Sequence, residues 1–400
     1  VDETQEYKRA RNGLETQPLA LTLNRVVLAL IFFAILALPI AWFGRASFAP
    51  PTHENRRLEP FPHYSLSWFQ SFERWFSDRY GMRDALVYYG SRLQLARTGT
   101  PMNQDVAIGR DGWLFFDENY TPGQPHFASL YGKAPIAPSD LQAIASNLER
   151  VREQLKACAM PFYLVLAPDK QTIYPEKLRM PPPPDAVTQA DQVVAYLHAA
   201  APELRIIDLR QPLKDAKASQ KYELYKRTDT HWNTLGAFVG YQTIAKTLVH
   251  DGILASAPRA ELSAFTLTRE PFKGGDIAVD LLALPDYFED YVVHLSPVQP
   301  GHAREISPPG WPANVNDAFR VTENTAGHGN LVLYRDSFSG ELMPFFAEDF
   351  HRMYSFLGHR IDGERVRQAH PTVVMLQIVE RRLRQLNEAP VNLEQVCKPN

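Results

Sequence analysis

Cysteine, net charge and long apolar runs are all scarce in this chain, and each scarcity removes a class of protein. Only two cysteines occur, Cys158 and Cys397. Neither sits beside a histidine in the sequence, which argues against a thiol nucleophile. They are left as either one bridge formed in an oxidising compartment or two unpaired thiols. The formal net charge is −3, which offers no electrostatic case for nucleic acid. His126, His294 and His328 follow no metal-ligand spacing, so neither a metal nor another cofactor is expected. No internal repeat is found. With 45% hydrophobic and 22% charged residues, the bulk of the chain has the composition of a globular protein.

One uncharged apolar run is present, Val26 to Phe43. At about 1.5 Å per residue its length is roughly 27 Å, close to the hydrocarbon core of a bilayer. Leu19 to Leu23 adds apolar length upstream, and Trp42 stands where an interfacial aromatic stands. Lys8, Arg9, Arg11 and Arg25 precede the run, while Arg45, Arg56 and Arg57 follow it. This distribution biases the N-terminus modestly toward the cytoplasm. A cleaved signal peptide is the rival reading. Its only small-residue pattern is Ser47-Phe48-Ala49, with Pro50 after the cut, so an uncleaved anchor is favoured. The expected organisation is a cytoplasmic tail over 1–25, a transmembrane anchor over 26–43, a helical linker over 44–104 and a catalytic domain over 105–400.

Two segments carry the chemistry: Asp229-Thr230-His231-Trp232-Asn233, and Asp336-Ser337-Phe338. A serine hydroxyl is a weak nucleophile at neutral pH. It needs a histidine to take its proton and a carboxylate to orient the imidazole. Residues two apart in extended chain share a face, so Asp229 and His231 can reach one pocket. Ser337 follows the apolar run Leu331 to Tyr334, which reads as a buried strand, and precedes a short helix over 339–346. A nucleophile at such a turn is exposed and close to free backbone N–H groups. Asp336 reads as a cap for that helix rather than a triad member.

Around these segments, strands alternate with helices. Residues 106–116 read as a hairpin and 61–97 as helical, with Trp68, Phe69, Phe72, Trp75 and Phe76 as a core-packing aromatic stripe. A helix begins near Ser139, another covers 187–200, and Asn233 caps a third. Strands are expected at 162–166, 204–209, 330–334, 352–357 and 372–378. Residues 255–328 show loops and no strong pattern. The fold class is therefore α/β, a parallel sheet with helices on both faces. In such sheets sites form at the carboxyl ends of strands. Ser337 and Ala167-Pro168-Asp169-Lys170 both fall there.

An ordered set of motifs resembles a known family. It comprises Ile108-Gly109-Arg110-Asp111-Gly112-Trp113-Leu114-Phe115, Ala167 to Lys170 with Tyr174-Pro175-Glu176, and Thr228 to Asn233 with Gly236-Ala237. Gly275-Asp276-Ile277-Ala278, Arg335 to Phe338, and Val379-Glu380-Arg381 complete it. The set resembles the alginate O-acetyltransferase family of AlgJ and AlgX, whose core is an SGNH-hydrolase-like, flavodoxin-like domain. The anchor, and the absence of chain beyond 400 for a carbohydrate-binding module, look more like the AlgJ type. Ordinary SGNH hydrolases run serine first, so the order Asp229, His231, Ser337 suggests circularly permuted motifs. Arg335 stands where the family commonly has glycine.

The resemblance implies catalytic Asp229, His231 and Ser337, and acetyl transfer to an exopolysaccharide, alginate-like or cellulose, in the bacterial periplasm. It also implies a membrane-bound O-acyltransferase partner as acetyl donor. Lys170, Tyr174, Trp232 and Arg335 are candidate substrate-binding residues, though packing roles suit Lys170, Tyr174, Trp232 and Trp113 as well. Two further functions stand beside this one: an SGNH-type carbohydrate acetyl esterase, and a non-catalytic scaffold of a polysaccharide secretion complex.

Overall fold

The computed structural model describes residues 19–43, 45, 48–51, 58–312 and 317–397. The expected tail and the flanking cations Lys8, Arg9, Arg11, Arg56 and Arg57 lie outside the described residues. The chain divides into two compact units, Val1–Gly99 and Thr100–Asn400.

Among the described residues, the first unit holds three helices: α1 (Leu19–Ala41), α2 (Trp68–Arg79) and α3 (Arg83–Thr98). At 23 residues, α1 is roughly 35 Å long at about 1.5 Å per residue. It is long and apolar enough to cross a membrane, and its described side chains are almost all exposed. The aromatic stripe on α2 departs from expectation. None of its side chains is buried, and Phe69 is 81% exposed. Trp68, Phe72, Trp75 and Phe76 pack mainly on one another, with Phe43 stacked on Phe76. So small a unit has too little chain to cover both sides of an aromatic helix.

The second unit is built on a seven-stranded sheet of order β4-β3-β11-β9-β10-β8-β7. Its strands are β3 (Phe162–Ala167), β4 (Arg205–Asp208), β7 (Arg304–Ile306), β8 (Phe319–Glu323), β9 (Asn330–Arg335), β10 (Arg352–Leu357) and β11 (Val373–Val379). The first five in the sheet order run parallel, and β8 and β7 add an antiparallel edge. The parallel strands are those the apolar runs announce. FYLVLA of β3 and VVMLQIV of β11 are buried along their whole length, as strands covered on both faces must be.

Alternation along these strands separates two cores. Tyr163, Val165, Leu331, Leu333, Val373 and Met375 face the layer of α8 (Thr234–His250) and α9 (Met343–Asp349). Phe162, Leu164, Val332, Tyr334, Val374 and Leu376 face the layer of α4 (Pro138–Lys156), α6 (Gln189–Ala200) and α10 (Gly363–Ala369). In α4, the helix expected near Ser139, the buried positions Ile144, Leu148, Val151 and Leu155 form one apolar face. A four-residue helix, α5 (Lys170–Ile173), follows β3, and α7 (Arg210–Ser219) follows β4. Outside the sheet, β1 (Val106–Ile108) and β2 (Leu114–Phe116) form the expected hairpin.

Residues 255–328 are not the loop expected. They contain β7, β8 and a long hairpin of β5 (Phe265–Phe272) and β6 (Asp290–Pro297). The reason is exposure. Most of β5 faces solvent, so its apolar alternation stops after Phe265 and Leu267, and Pro271 marks it as an edge strand.

Cys158, just beyond α4, and Cys397 near the C-terminus are bridged, with Cα atoms 5.5 Å apart. The bridge closes a sequence separation of 239 residues. Replacing both cysteines by serine is expected to lower the unfolding free energy by about 2–4 kcal/mol, read from the midpoint of denaturant unfolding.

Candidate active site

The site is assembled at the carboxyl edge of the sheet by two chain segments 106 residues apart. Ser337 leaves β9 at the first position of a 3-10 turn, Ser337–Glu341. The Asp336 carboxylate caps that turn by accepting from the Phe338 N–H at 2.9 Å. Its other oxygen accepts from the Val379 N–H at 2.7 Å, which ties the turn to the end of β11. The Ser337 side chain is left exposed, and its own N–H has no acceptor within the turn.

The second segment precedes α8. The Asn233 side chain caps this helix, accepting from the Leu235 and Gly236 N–H groups at 3.0 Å each. The imidazole of His231 lies between the two segments. Its Nε2 is 2.8 Å from Ser337 Oγ, and its Nδ1 is 2.8 Å from Asp229 Oδ1. With Nδ1–H donating to the carboxylate, Nε2 is free to accept from the serine hydroxyl. Exposure falls along this chain of groups, from open Ser337 through half-buried His231 to buried Asp229.

The loop before His231 is held by residues that the sequence reading placed in substrate binding. Lys170 is 2% exposed, and its Nζ donates to the carbonyls of Lys226, Arg227 and Asp229 at 3.1, 2.9 and 2.6 Å. Its ammonium also lies over the rings of Trp113 and Phe115. Tyr174 is buried, and its hydroxyl accepts from the Leu224 N–H at 2.8 Å. Trp232 is buried and donates from Nε1 to the Phe338 carbonyl at 3.0 Å, joining the two segments. Arg335 is fully buried. It bonds Ser355 Oγ at 3.0 Å and forks onto the Asp317 carboxylate at 2.9 and 3.0 Å. None of the four offers a surface to a sugar, and Trp113 is also core. A polar tip made them look available, but each tip is used up by a buried partner.

Two acidic residues went without a role in the sequence reading. Asp290, at the start of β6, accepts from the Arg227 N–H and from the N–H and hydroxyl of Thr228. Asp276 accepts from the Thr230 N–H at 2.6 Å and from the Thr230 hydroxyl at 2.5 Å, and its Oδ2 lies 3.4 Å from His231 Nδ1. Gly275 was the available signal. A Cβ there would come within 2.4 Å of the Asp229 Cβ, so only glycine lets this loop approach.

Charge follows the geometry. Burial pushes the imidazole of His231 down, but hydrogen bonds and charges from Asp229 and Asp276 outweigh it and raise its pKa to about 9. Burial pushes Asp229 up, and the bond and charge of His231 overcome this to hold it well below the usual carboxylate range. Burial lowers Lys170 to about 8, opposed in part by the charges of Asp229, Asp276 and Asp290. Asp229, His231 and Asp276 bring possible metal-ligand atoms within 4.8 Å of one another. Their hydrogen bonds to one another and to Thr230 already occupy most of those atoms.

Residues 106–291 match the family described as SGNH hydrolase-like domain, acetyltransferase AlgX. The match covers a little under half of the chain. A probable alginate O-acetylase AlgJ of Pseudomonas fluorescens is 27% identical over 277 residues, covering 69% of this chain and 64% of the relative. The chain thus spans a little under two thirds of that relative. A second AlgJ, of Pseudomonas putida, is 25% identical over 315 residues, covering 76% of this chain and 75% of the relative. In fold, the chain is similar to the structure of Bacillus cereus PatB1, with a TM-score of 0.53 at 19% identity over 70% of this chain and 96% of the other. The α/β architecture expected from the alternating pattern is therefore the SGNH-like one.

Two outcomes follow from the buried charges. Lys170→Met removes the ammonium from three inward-facing carbonyls, of which only that of Arg227 keeps another donor, the Leu114 N–H, and is expected to cost roughly 2–4 kcal/mol in denaturant unfolding. His231 is raised in the folded state, so its contribution is complete below the unfolded value of about 6.5 and fades as pH rises through about 9. The stability gap between wild type and His231→Gln, measured by thermal unfolding across pH, should close over that interval.

Proposed function

We propose that this protein is an O-acetyltransferase that carries an acetyl group on Ser337 to a hydroxyl of an exopolysaccharide. The observation that carries the reading is the unbroken chain from Ser337 Oγ through His231 to Asp229, with both contacts at 2.8 Å. Ser337 Oγ attacks the acetyl carbonyl carbon while its proton passes to His231 Nε2. The donor's leaving oxygen departs with that proton, giving acetyl-Ser337. A sugar hydroxyl then attacks the same carbon and gives its proton to Nε2. Collapse of the tetrahedral intermediate returns the proton to Ser337 Oγ and releases the acetylated sugar. Asp229 keeps Nδ1–H in place and stabilises the imidazolium in both halves. The Ser337 N–H is one donor for the oxyanion.

The kinship with proteins named alginate O-acetylase supports acyl transfer to a polymer. The exposed position of Ser337 suits an acceptor too large to enter a cavity. The α1 helix supports a single-pass anchor in the bacterial inner membrane with the catalytic unit in the periplasm, and the Cys158–Cys397 bridge fits an oxidising compartment. In this reading the acetyl donor is supplied by a membrane-bound O-acyltransferase. An esterase uses the same residues and differs only in which hydroxyl reaches the acyl-enzyme.

The test uses the full chain in detergent with an acetyl-ester donor, with and without alginate or cellulose oligosaccharides. Acetylated oligosaccharide, detected by mass spectrometry, is the expected product. Release of acetate at the same rate in both cases would instead make the protein an esterase. Ser337→Ala and His231→Ala should each lower turnover by about 10³-fold or more, and the double variant by little more than either single change. Unaltered turnover in Ser337→Ala would overturn the serine mechanism, and no turnover of any donor by the wild type would return the protein to the scaffold reading.

A further inference from the structure

His231 is set between two carboxylates rather than one. Asp229 Oδ1 lies 2.8 Å from Nδ1, and Asp276 Oδ2 lies 3.4 Å from the same nitrogen. The second carboxylate arrives from a different part of the chain, 45 residues beyond the histidine, and its position is tightly specified. Its two oxygens accept from the N–H and the hydroxyl of Thr230, the residue between Asp229 and His231. Its own N–H donates to Asp229 Oδ2 at 3.2 Å. Gly275 N–H donates to Thr228 Oγ1 at 3.0 Å, and the absent Cβ lets the loop lie against the Asp229 backbone. Because the Thr230 hydroxyl proton points to Asp276, its remaining lone pairs face His231 Nδ1 at 3.1 Å. Two carboxylates and a hydroxyl oxygen thus surround one imidazole nitrogen, all of them acceptors.

We propose that Asp276 is a second positioning residue for His231, holding Nδ1–H in place beside Asp229 and setting the pH at which Nε2 becomes free to accept the serine proton. The proposal rests on the function proposed above. The acceptors around Nδ1 keep its proton in place in both forms of the ring, and the negative charge of the two carboxylates favours the imidazolium over the neutral imidazole. The elements packed around His231 bring other charges. Lys170 is bonded to the Asp229 carbonyl, Lys226 is paired with Glu341, Arg381 lies over the Phe338 ring, and Asp290 holds Thr228. Each of these cations has a bonded partner of its own, Arg381 through the Asp169 carboxylate. Asp276 is the charge that can be removed without moving the loop. In Asp276→Asn the amide oxygen still accepts from the Thr230 N–H, and the amide nitrogen can donate to the Thr230 hydroxyl.

The experiment compares wild type, Asp276→Asn, Asp229→Asn and Ser337→Ala as full chains. NMR titration of labelled histidine, with the His231 signal assigned by its loss in His231→Gln, reports protonation without requiring activity. The pH profile of acetyl-ester turnover reports the same group in action. In Asp276→Asn the His231 midpoint should fall and the acidic limb of the profile should move with it. Turnover one pH unit below the wild-type midpoint should then rise about three- to tenfold, while the alkaline plateau falls by no more than about threefold. Asp229→Asn should instead lower the plateau itself, because it favours the wrong tautomer. A His231 midpoint that stays in place in Asp276→Asn overturns the proposal. So does a plateau lost as fully as in Asp229→Asn, which would give Asp276 a role in the fold of the loop alone. If the midpoint falls in Asp276→Asn while Ser337→Ala keeps full turnover, the role of Asp276 stands and the serine mechanism fails.

Discussion

The ammonium of Lys170 is the constraint on which the site depends. It sits at the end of the buried strand β3, where the sheet delivers it, and all three of its protons go to carbonyls of residues 226–229. That loop has no regular structure of its own and must carry Asp229 and His231 to a serine from another strand. A buried cation is costly unless several oxygens surround it. The loop supplies those oxygens, and in return the cation removes its freedom. Asp290 and Asp276 complete the arrangement by accepting from the loop's N–H and hydroxyl groups. Carbonyls turned toward a cation and N–H groups turned toward carboxylates leave the loop very little room for another conformation.

Across the site, the serine side is fixed independently. Asp336 spends one oxygen on the turn that follows Ser337 and the other on the neighbouring strand β11. The two halves then meet through Trp232, whose indole N–H reaches the Phe338 carbonyl, and through the Phe338 ring itself, 4.9 Å from that of His231. The serine–histidine distance is therefore the sum of rigid parts rather than a contact between mobile side chains. Such preorganisation is what proton transfer needs, because a small misplacement of the base is costly to the rate.

How much of this the sequence displayed depended on burial. Strands β3, β9 and β11 are covered on both faces, so their apolar runs announced a parallel sheet. The turn at Ser337 was legible because a strand ends just before it, and Asp229 with His231 because their spacing of two fits extended chain. The hairpin of β5 and β6 was not legible, since Arg269-Glu270-Pro271 break the run in β5 and the apolar stretch of β6 is short. The four residues assigned to sugar binding show the opposite limit. Lys170, Tyr174, Trp232 and Arg335 have the chemistry of ligand contacts, and nothing local in a sequence tells a polar tip aimed at solvent from one aimed at a carbonyl. Asp276 was missed because its meaning lies wholly in its distance to His231, across a loop that only glycine permits.

These charges also set limits on one another. At neutral pH both His231 and Lys170 are cationic, and in the proposed reaction only the neutral imidazole can accept the serine proton. Raising the pH frees His231 near 9, but Lys170 has by then passed its own value near 8. Losing that proton does not release the loop, because a neutral amine keeps two N–H donors for three carbonyls. One carbonyl goes unserved, and the field that Lys170 sets against Asp229, Asp276 and Asp290 disappears. With that positive charge gone, the carboxylates hold the imidazolium more strongly, so deprotonating Lys170 works against deprotonating His231. The two sites are linked through the carboxylates they share, Asp229 and Asp276. The cation that builds the loop is therefore also part of what sets the basicity of the histidine the loop presents.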